Sequence, residues 1–270
     1  MRYPCRFAAL AFLASMTAAV SLAEDLTIVS KVTRDSGAPE TVTSYLSTAR
    51  ARMAQGGGRE TLVDYQSGEM TSIDNDKKTY SVTTQNDLDA WAAKLKAQME
   101  SPEMKKAQEA MKNLPPEQRK MMSNFGSGLV DVEKAGTSRT IAGYSCENWT
   151  ITMGQFSRSE ECLTTTLQFP AQPFALYKRY AESLRSLMSA MSPMGLDYEK
   201  MSEQFKKLKG YPLAVSTTVD VMGHRSATES EVVEIKRTPI PASAWQIPAG
   251  YTKVESPMRK ALEGSRKRPS

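Results

Sequence analysis

The sequence predicts an α+β fold in which an antiparallel sheet is combined with two helical segments. Most of the chain consists of short segments that alternate apolar and polar residues and end at Gly, Pro, Asn or Asp. Two longer stretches instead repeat their apolar residues at helical spacing. The order is strands, helix, strands, helix, strands, with no βαβ alternation and no internal repeat, which favours an antiparallel sheet over a parallel one.

Residues 1–23 are typical of an export signal. Arg2 and Arg6 provide a basic start, an apolar stretch follows at residues 7–20, and small residues precede a cleavage position after Ala23. An apolar stretch of roughly 14 residues is too short for a membrane span, which needs about 20. We therefore expect a periplasmic or secreted mature chain that keeps no transmembrane anchor after cleavage.

The first third of the mature chain reads as an antiparallel meander. Its strands are expected at residues 26–34, 41–53, 61–65, 70–73 and 79–84. The Gly56-Gly57-Gly58 sequence permits a tight reversal, because glycine adopts positive φ without a steric penalty. Asp74-Asn75-Asp76-Lys77-Lys78 predicts a polar turn before the last of these strands.

A helical pattern replaces the alternation at residues 87–112, with Pro102 expected to open a second helix. The apolar face of the first helix carries Leu88, Trp91, Leu95 and Met99. Further along the chain, strands are expected at 130–135, 138–142, 147–153 and 161–169, helices at 174–192 and 198–208, and a hairpin at 212–222 and 227–237. We expect one domain over residues 24–256.

Residues 257–270 are expected to form a basic, flexible tail. This segment holds Arg259, Lys260, Arg266, Lys267 and Arg268 against the single acidic residue Glu263. The whole chain has a net charge of +5, so the rest of the mature chain is close to neutral. A basic tail could contact an anionic envelope surface by charge alone, or it could serve only solubility. We expect no nucleic-acid partner outside the cytoplasm.

Two cysteines, Cys146 and Cys162, remain once the signal segment with Cys5 is removed. An even number of cysteines in an oxidising compartment favours one disulfide bond, the alternative being two buried free thiols. If the two residues face each other across antiparallel strands, the symmetric centre of the hairpin is Gly154. No C-x-x-C spacing is present, so we predict a structural bridge without a redox role.

Three stretches resemble a family of exported bacterial proteins known as domain of unknown function 4412. They are TSIDNDKKTYSVTT, GTSRTIAGYSCENWTIT and the C-terminal TTVDVMGHRSATESEVVEIKRTPIPASAWQIPAGYTKV. The family is similar in turn to the lipoprotein-carrier (Lol-type) half-barrel. The resemblance implies a curved antiparallel sheet, or half-barrel, wrapped over helices. The resemblance does not identify any catalytic or ligand-binding residue in this chain.

Catalysis has little support in the sequence. The mature chain contains one histidine, His224, between Gly223 and Arg225 in an expected hairpin turn. No G-x-S-x-G, H-E-x-x-H, P-loop or G-x-G-x-x-G motif is present. The sequence therefore predicts a protein that is not an enzyme.

Met188, Met191 and Met194 recur at every third residue and raise the possibility of a Cu(I) site, because thioether sulfur binds soft metals. On a helical projection, however, they continue a stripe of Leu and Tyr side chains about 120° wide, as an amphipathic helix requires. Pro193 also interrupts the helix before Met194. Copper binding is the weaker hypothesis, and we expect no cofactor.

The stripe serves either as ordinary core or as the lining of an apolar site. The candidate lining residues are Trp91, Leu95, Met99, Tyr180, Leu184, Leu187, Met188 and Met191. The function predicted from them is an exported, non-enzymatic binding protein for an apolar ligand in the cell envelope, with a lipid or a lipoprotein as the partner. The alternative is an envelope assembly factor that binds another polypeptide through the same helices or through a sheet edge.

Overall fold

The structure, a computed structural model, describes residues 25–115, 130–168, 198–221 and 223–264. In chain order the elements are β1 (Leu26–Arg34), β2 (Glu40–Leu46), β3 (Arg50–Gly56), β4 (Arg59–Asp64), β5 (Met70–Asp74), β6 (Thr79–Thr83), α1 (Gln85–Met99), α2 (Pro102–Lys112), β7 (Val130–Ile141), β8 (Tyr144–Met153), β9 (Ser157–Thr164), α3 (Tyr198–Phe205), β10 (Tyr211–Val221), β11 (His224–Lys236), a 3₁₀ turn (Ala242–Trp245), β12 (Thr252–Lys253) and α4 (Pro257–Gly264).

All twelve described strands belong to one curved, open sheet, which confirms the predicted fold class. The strand order is β12-β6-β5-β4-β3-β2-β1-β11-β10-β9-β8-β7. Every pairing is antiparallel except that of β12, which runs parallel to β6. The first strand therefore lies near the middle, where β2 and β11 flank it and join the two meanders.

Two differences from the predicted strands have local causes. The strand expected at residues 41–53 is divided into β2 and β3, because the Ser47 hydroxyl accepts hydrogen bonds from the amides of Ala49 and Arg50 and closes a turn. The two strands expected at 130–142 form the single strand β7, whose pairing with β8 shifts register between Lys134 and Ser138.

The glycines of the β3–β4 reversal behave as predicted. Gly57 adopts a φ of +58°, and a Cβ at that position would lie 2.7 Å from the Arg34 guanidinium. The positive φ therefore favours glycine at this position, whereas the flexible Arg34 side chain could move away from an added Cβ. The Arg34 side chain donates hydrogen bonds to the Gln55 and Gly56 carbonyls, which ties the turn to β1.

The largest buried cluster shows how strongly the sheet curls. It joins residues from six strands: Ile28, Val232, Leu213, Ala214, Cys162, Cys146 and Ile141. Ile28 in β1 and Ile141 in β7 belong to this one cluster although four strands separate them in the sheet. The part of the sheet from β1 to β7 is therefore rolled around a common core.

The disulfide bond predicted between Cys146 and Cys162 is present, with a Cα–Cα distance of 5.3 Å. The predicted hairpin centre was wrong by one residue. The direct partner of Cys162 is Asn148, so the register is centred on Gln155 and the disulfide links diagonal positions of β8 and β9. Gly154 still lies in the connection, with a φ of +57°.

Part of the segment predicted to be a flexible tail forms α4, which packs on α1. Arg259 donates a hydrogen bond to Asp87 (2.7 Å), and Lys94 donates to the carbonyls of Ala261 (2.5 Å) and Leu262 (3.0 Å). Asp87 belongs in turn to the capping box that starts α1 at Thr84. Residues 257–264 are thus ordered against the helix, unlike the expectation for them.

A buried polar network ties the closing segment to the first meander. Arg52 forms an ion pair with Glu60 and donates hydrogen bonds from Nη1 to the carbonyls of Ala244 (2.9 Å) and Gln246 (3.1 Å). Asn75 donates to Glu60, and the Tyr251 hydroxyl donates to Asn75 at 2.8 Å. Tyr251 and the carbonyls of Ala244 and Gln246 therefore help to hold the chain's last segment on the sheet.

Candidate functional site

Three of the predicted lining residues lie in the described part of the chain, all on α1. Met99 is buried, while Trp91 and Leu95 are half-buried. Tyr180, Leu184, Leu187, Met188 and Met191 lie outside the described residues, as does Met194 of the copper hypothesis. The apolar helix site and the methionine metal site both remain predictions.

The structure contains a site that the sequence did not indicate. On one face of the rolled half of the sheet, β1, β7, β8, β9, β10 and β11 enclose a groove of about 650 Å³, which we call the trough. Its lining comes from residues as far apart in sequence as Lys31 and Glu231, which the register places directly opposite each other. No local pattern could reveal such a site, because its lining is divided among six strands, none of which contributes more than four residues.

The floor of the trough is apolar and closed. Cys162 and Ala214 pair across β9 and β10, and they are only 1% and 6% exposed. Both belong to the buried cluster described above, together with the disulfide partner Cys146. Because the disulfide bond fixes β8 to β9 beneath this floor, the base of the trough is held by a covalent link.

The rim of the trough is charged, with both signs interleaved. Its charged residues are Lys31, Arg139, Arg158, Glu160, Glu229 and Glu231. Arg158 pairs with Glu160 at 3.0 Å along β9, and Arg139 pairs with Glu231 at 3.4 Å. The second pair connects β7 with β11 across the trough, and Cα atoms of those two strands approach within 8 Å.

These rim pairs contribute little to folding stability, because their side chains are about half exposed. Their position instead gives the trough a polar upper wall over an apolar floor. Glu161 lies between Glu160 and Cys162 on β9, so its side chain points to the opposite face of the strand; there burial raises the pKa of its carboxyl group and a hydrogen bond from Ser159 partly offsets that effect. The trough thus offers an apolar surface and fixed charges within one groove.

A second cavity of about 430 Å³ lies in the first meander, beside the Arg52 network. Burial raises the pKa of Glu60, but hydrogen bonds from Arg52 and Asn75 and the charge of Arg52 outweigh it, so the pKa falls below the ordinary value. Glu60 is therefore ionised and already paired, and its oxygens hold the closing segment in place. We assign this network a structural role.

No catalytic constellation forms among the described residues. His224 lies exposed at the start of β11, next to the hairpin turn, as its sequence position predicted. No group of three or more His, Cys, Asp or Glu side chains in the described ranges is arranged to hold a metal ion. None of the described helices has the length and apolar character needed to cross a membrane.

Comparison with known proteins identifies a family and gives distant similarities to solved structures. The family model DUF4412, described as a domain of unknown function, matches residues 31–251. No curated protein sequence matches the chain.

Among solved structures, PNGF-II is similar over 91% of this chain and 33% of its own, with 8% identity and a TM-score of 0.39. MucB is similar over 84% of this chain and 57% of its own, with 12% identity and a TM-score of 0.30. A LolA superfamily protein from Nitrosomonas europaea is similar over 83% of this chain and 90% of its own, with 5% identity and a TM-score of 0.16. The chain thus spans a third of PNGF-II and just over half of MucB.

Proposed function

Because the chain belongs to the DUF4412 family, a domain of unknown function, we propose its role from the geometry of its own sheet: it is a non-enzymatic binding protein for an amphiphilic ligand that carries an acyl chain. The trough is the observation that carries this proposal. Its volume of about 650 Å³ lies within the range of small-molecule sites, roughly 300–1,000 Å³.

The two surfaces of the trough match the two parts of an amphiphile. The buried floor at Cys162 and Ala214 offers an apolar surface on which a hydrocarbon chain loses contact with water. The rim offers charges of both signs, which suit a polar headgroup. Trp91 and Leu95 on α1 form a separate, half-buried apolar surface, which does not line the trough and to which the prediction from the helical stripe applies.

We place the protein outside the cytoplasm, in the periplasm or beyond. The basic and apolar pattern of residues 1–23 supports export, and the Cys146–Cys162 disulfide supports an oxidising compartment. In that setting the ligand is a lipid or the lipid part of a lipoprotein. Contact of the basic C-terminal residues with an anionic surface remains a proposal, and it excludes Arg259, whose guanidinium is engaged by Asp87.

The test blocks the trough with a single bulky side chain. Ser216 is exposed on β10 and lines the trough, whereas Ser226 on β11 is also exposed but does not line it. We expect the mature chain to bind a dansyl-labelled fatty acid, S216W to bind it at least about tenfold more weakly, and S226W to bind it like wild type. Fluorescence titration measures all three.

Two outcomes would overturn the proposal. Absence of probe binding by the wild-type chain would show that the protein does not bind this class of ligand. Equal binding by S216W and S226W would show that the trough is not the binding site and would favour the helix that carries Trp91 and Leu95.

A further inference from the structure

The outer edge of β7 is a surface on which another strand could be added. Among the described strands, β7 ends the sheet and pairs with β8 alone. It is a strand of 12 residues, of which residues 133–140 are all exposed, and the register shift between Lys134 and Ser138 divides its edge into two regular stretches, residues 130–134 and 138–141. An open edge of this length presents unpaired N–H and C=O groups, which are a template for pairing with another chain.

One helix packs beside that edge. Met201 on α3 and Leu208, which follows it, pack against the cluster formed by Val130, Val132 and Ile151. Gln204 lies three residues after Met201, so the helical repeat places it near the same side, and Lys207 lies three residues further on. The packing of the apolar residues therefore brings two polar side chains to the strand edge.

These two side chains bond both backbone groups of Val132. The Val132 N–H donates to Gln204 Oε1 at 3.3 Å, and Lys207 Nζ donates to the Val132 carbonyl at 3.1 Å. Lys207 also donates to Gln204 Oε1 at 2.5 Å, which holds the pair together. The two side chains thus supply Val132 with one acceptor and one donor, the same two hydrogen bonds that a residue of a neighbouring antiparallel strand would make.

We propose that the outer edge of β7 is a strand-pairing surface kept closed by Gln204 and Lys207, and that its partner, once it is opened, is β7 of a second copy of this chain. The two side chains occupy the hydrogen-bonding position that the second strand would take. This inference is independent of any ligand in the trough.

The sequence of β7 is complementary to itself when two copies run antiparallel. If Val132 of one copy lies opposite Ser138 of the other, the two regular stretches of β7 pair on either side of the register shift and Asp131 lies opposite Arg139 at both ends. Arg139 is about half exposed in its pair with Glu231, so its charge also attracts the carboxylate of the second copy. The backbone N–H and C=O groups of Val132 and Ser138 point away from β8. Ile141 and Tyr144 close a two-residue hairpin, so alternate residues such as Ser138 and Thr140 direct their N–H groups away from β8.

The test removes the two edge-capping side chains from the full mature chain. We expect Q204A/K207A to dimerise with a dissociation constant at least tenfold lower than that of wild type, measured by sedimentation velocity over a range of concentrations. K206A is the matched control, because Lys206 is the neighbouring lysine and pairs with Glu203 instead of β7. It should behave like wild type.

A third substitution shows whether β7 is the surface involved. T140P removes an outward N–H from the edge without removing a bond to β8, so it should reverse dimerisation when added to Q204A/K207A. Circular dichroism and the intact disulfide bond report that each variant is folded. Unchanged association of folded Q204A/K207A would overturn the proposal, and so would association that T140P leaves unaffected.

Discussion

At the scale of single residues, Asp87 links three parts of the chain. Its carboxylate accepts hydrogen bonds from the Thr84 amide and hydroxyl, both at 2.8 Å, and from Arg259 on α4. The hydrogen bond from Arg259 lowers the pKa of Asp87 most, burial opposes it, and the bonds with Thr84 lower the pKa further, to about 2. One side chain therefore both starts α1 and fastens the C-terminal helix to it.

We expect D87N to lower the free energy of unfolding by about 1–2 kcal/mol at neutral pH, because it weakens the capping box and removes the ion pair. The contribution of Asp87 is complete above the ordinary pKa of 3.8 and is lost as the pH falls from there through about 2. Urea unfolding at several pH values measures both effects. D89N, at an exposed position on the same helix, should change the free energy by no more than about 0.5 kcal/mol. Equal losses in the two variants would contradict the assignment.

Arg52 and Arg50 lie on the same strand in opposite environments. The Arg52–Glu60 pair is 10% and 19% exposed, whereas the Arg50–Asp64 pair is 47% and 33% exposed. Removing one partner of a buried pair leaves a charge without compensation, and the cost is about 3–5 kcal/mol. An exposed pair contributes about 1 kcal/mol or less.

The comparison of R52M with R50M tests this difference. We expect R52M to lose several times more unfolding free energy than R50M in denaturant titrations. Since the pKa of Glu60 is lower in the folded state, its ionised carboxylate contributes to the free energy of unfolding above the ordinary pKa of 4.5, and this contribution is lost at lower pH. Similar losses in R52M and R50M would show that the closing segment does not depend on the Arg52 network.

At the scale of elements, the β8–β9 hairpin combines a covalent link with the floor of the trough. The disulfide bond closes a loop with a sequence separation of 16, for which chain entropy gives a stabilisation of about 3 kcal/mol. Both sulfur-bearing residues are 1% exposed, so the link is protected from solvent thiols in the folded state.

We expect C146A/C162A to unfold with about 3 kcal/mol less free energy than wild type. Reductant present throughout a denaturant titration should lower the stability of wild type to a similar degree and leave C146A/C162A unchanged. A wild-type midpoint that stays constant after complete reduction would contradict the structural role of the bond.

Local patterns predicted the elements well and their spatial relations less well. The alternation of buried Leu26, Ile28 and Val32 with polar residues located β1, and the polar or glycine-rich turns on either side located β4 and β5. The division between β2 and β3 was missed because it depends on one serine hydroxyl within an otherwise alternating stretch. The trough was missed because it depends on curvature, which bulges and packing determine and which no single strand encodes.

At the scale of the whole molecule, the last residues of the chain hold the first meander. β12 pairs with β6, the Ala242–Trp245 turn covers Arg52, and α4 packs on α1. The family match, residues 31–251, extends through the network around Tyr251 and ends before α4. The α1–α4 contact therefore joins a helix inside the matched segment to one beyond it.

The proposed export of the chain and its disulfide bond give one mass prediction. We expect protein from the envelope fraction to have the mass of residues 24–270 less two hydrogens, because the signal segment is cleaved after Ala23 and one disulfide forms. Intact-mass spectrometry before and after reduction measures both. A23R should prevent cleavage and retain residues 1–23. A mature N-terminus other than Glu24 would contradict the proposed signal.

The central position of β1 in the sheet determines when its two edges can pair during synthesis. Ile28 pairs with Ile235, about 200 residues later, so one edge of β1 has no partner until nearly the entire chain has left the ribosome. Pairing across such a distance is slow, because a long loop must close before the contact forms. During that interval the unpaired backbone edge of β1 and its apolar side chains are exposed to other chains. A chaperone that shields the first strand during synthesis would consequently raise the yield of folded protein more than one that acts on the finished chain.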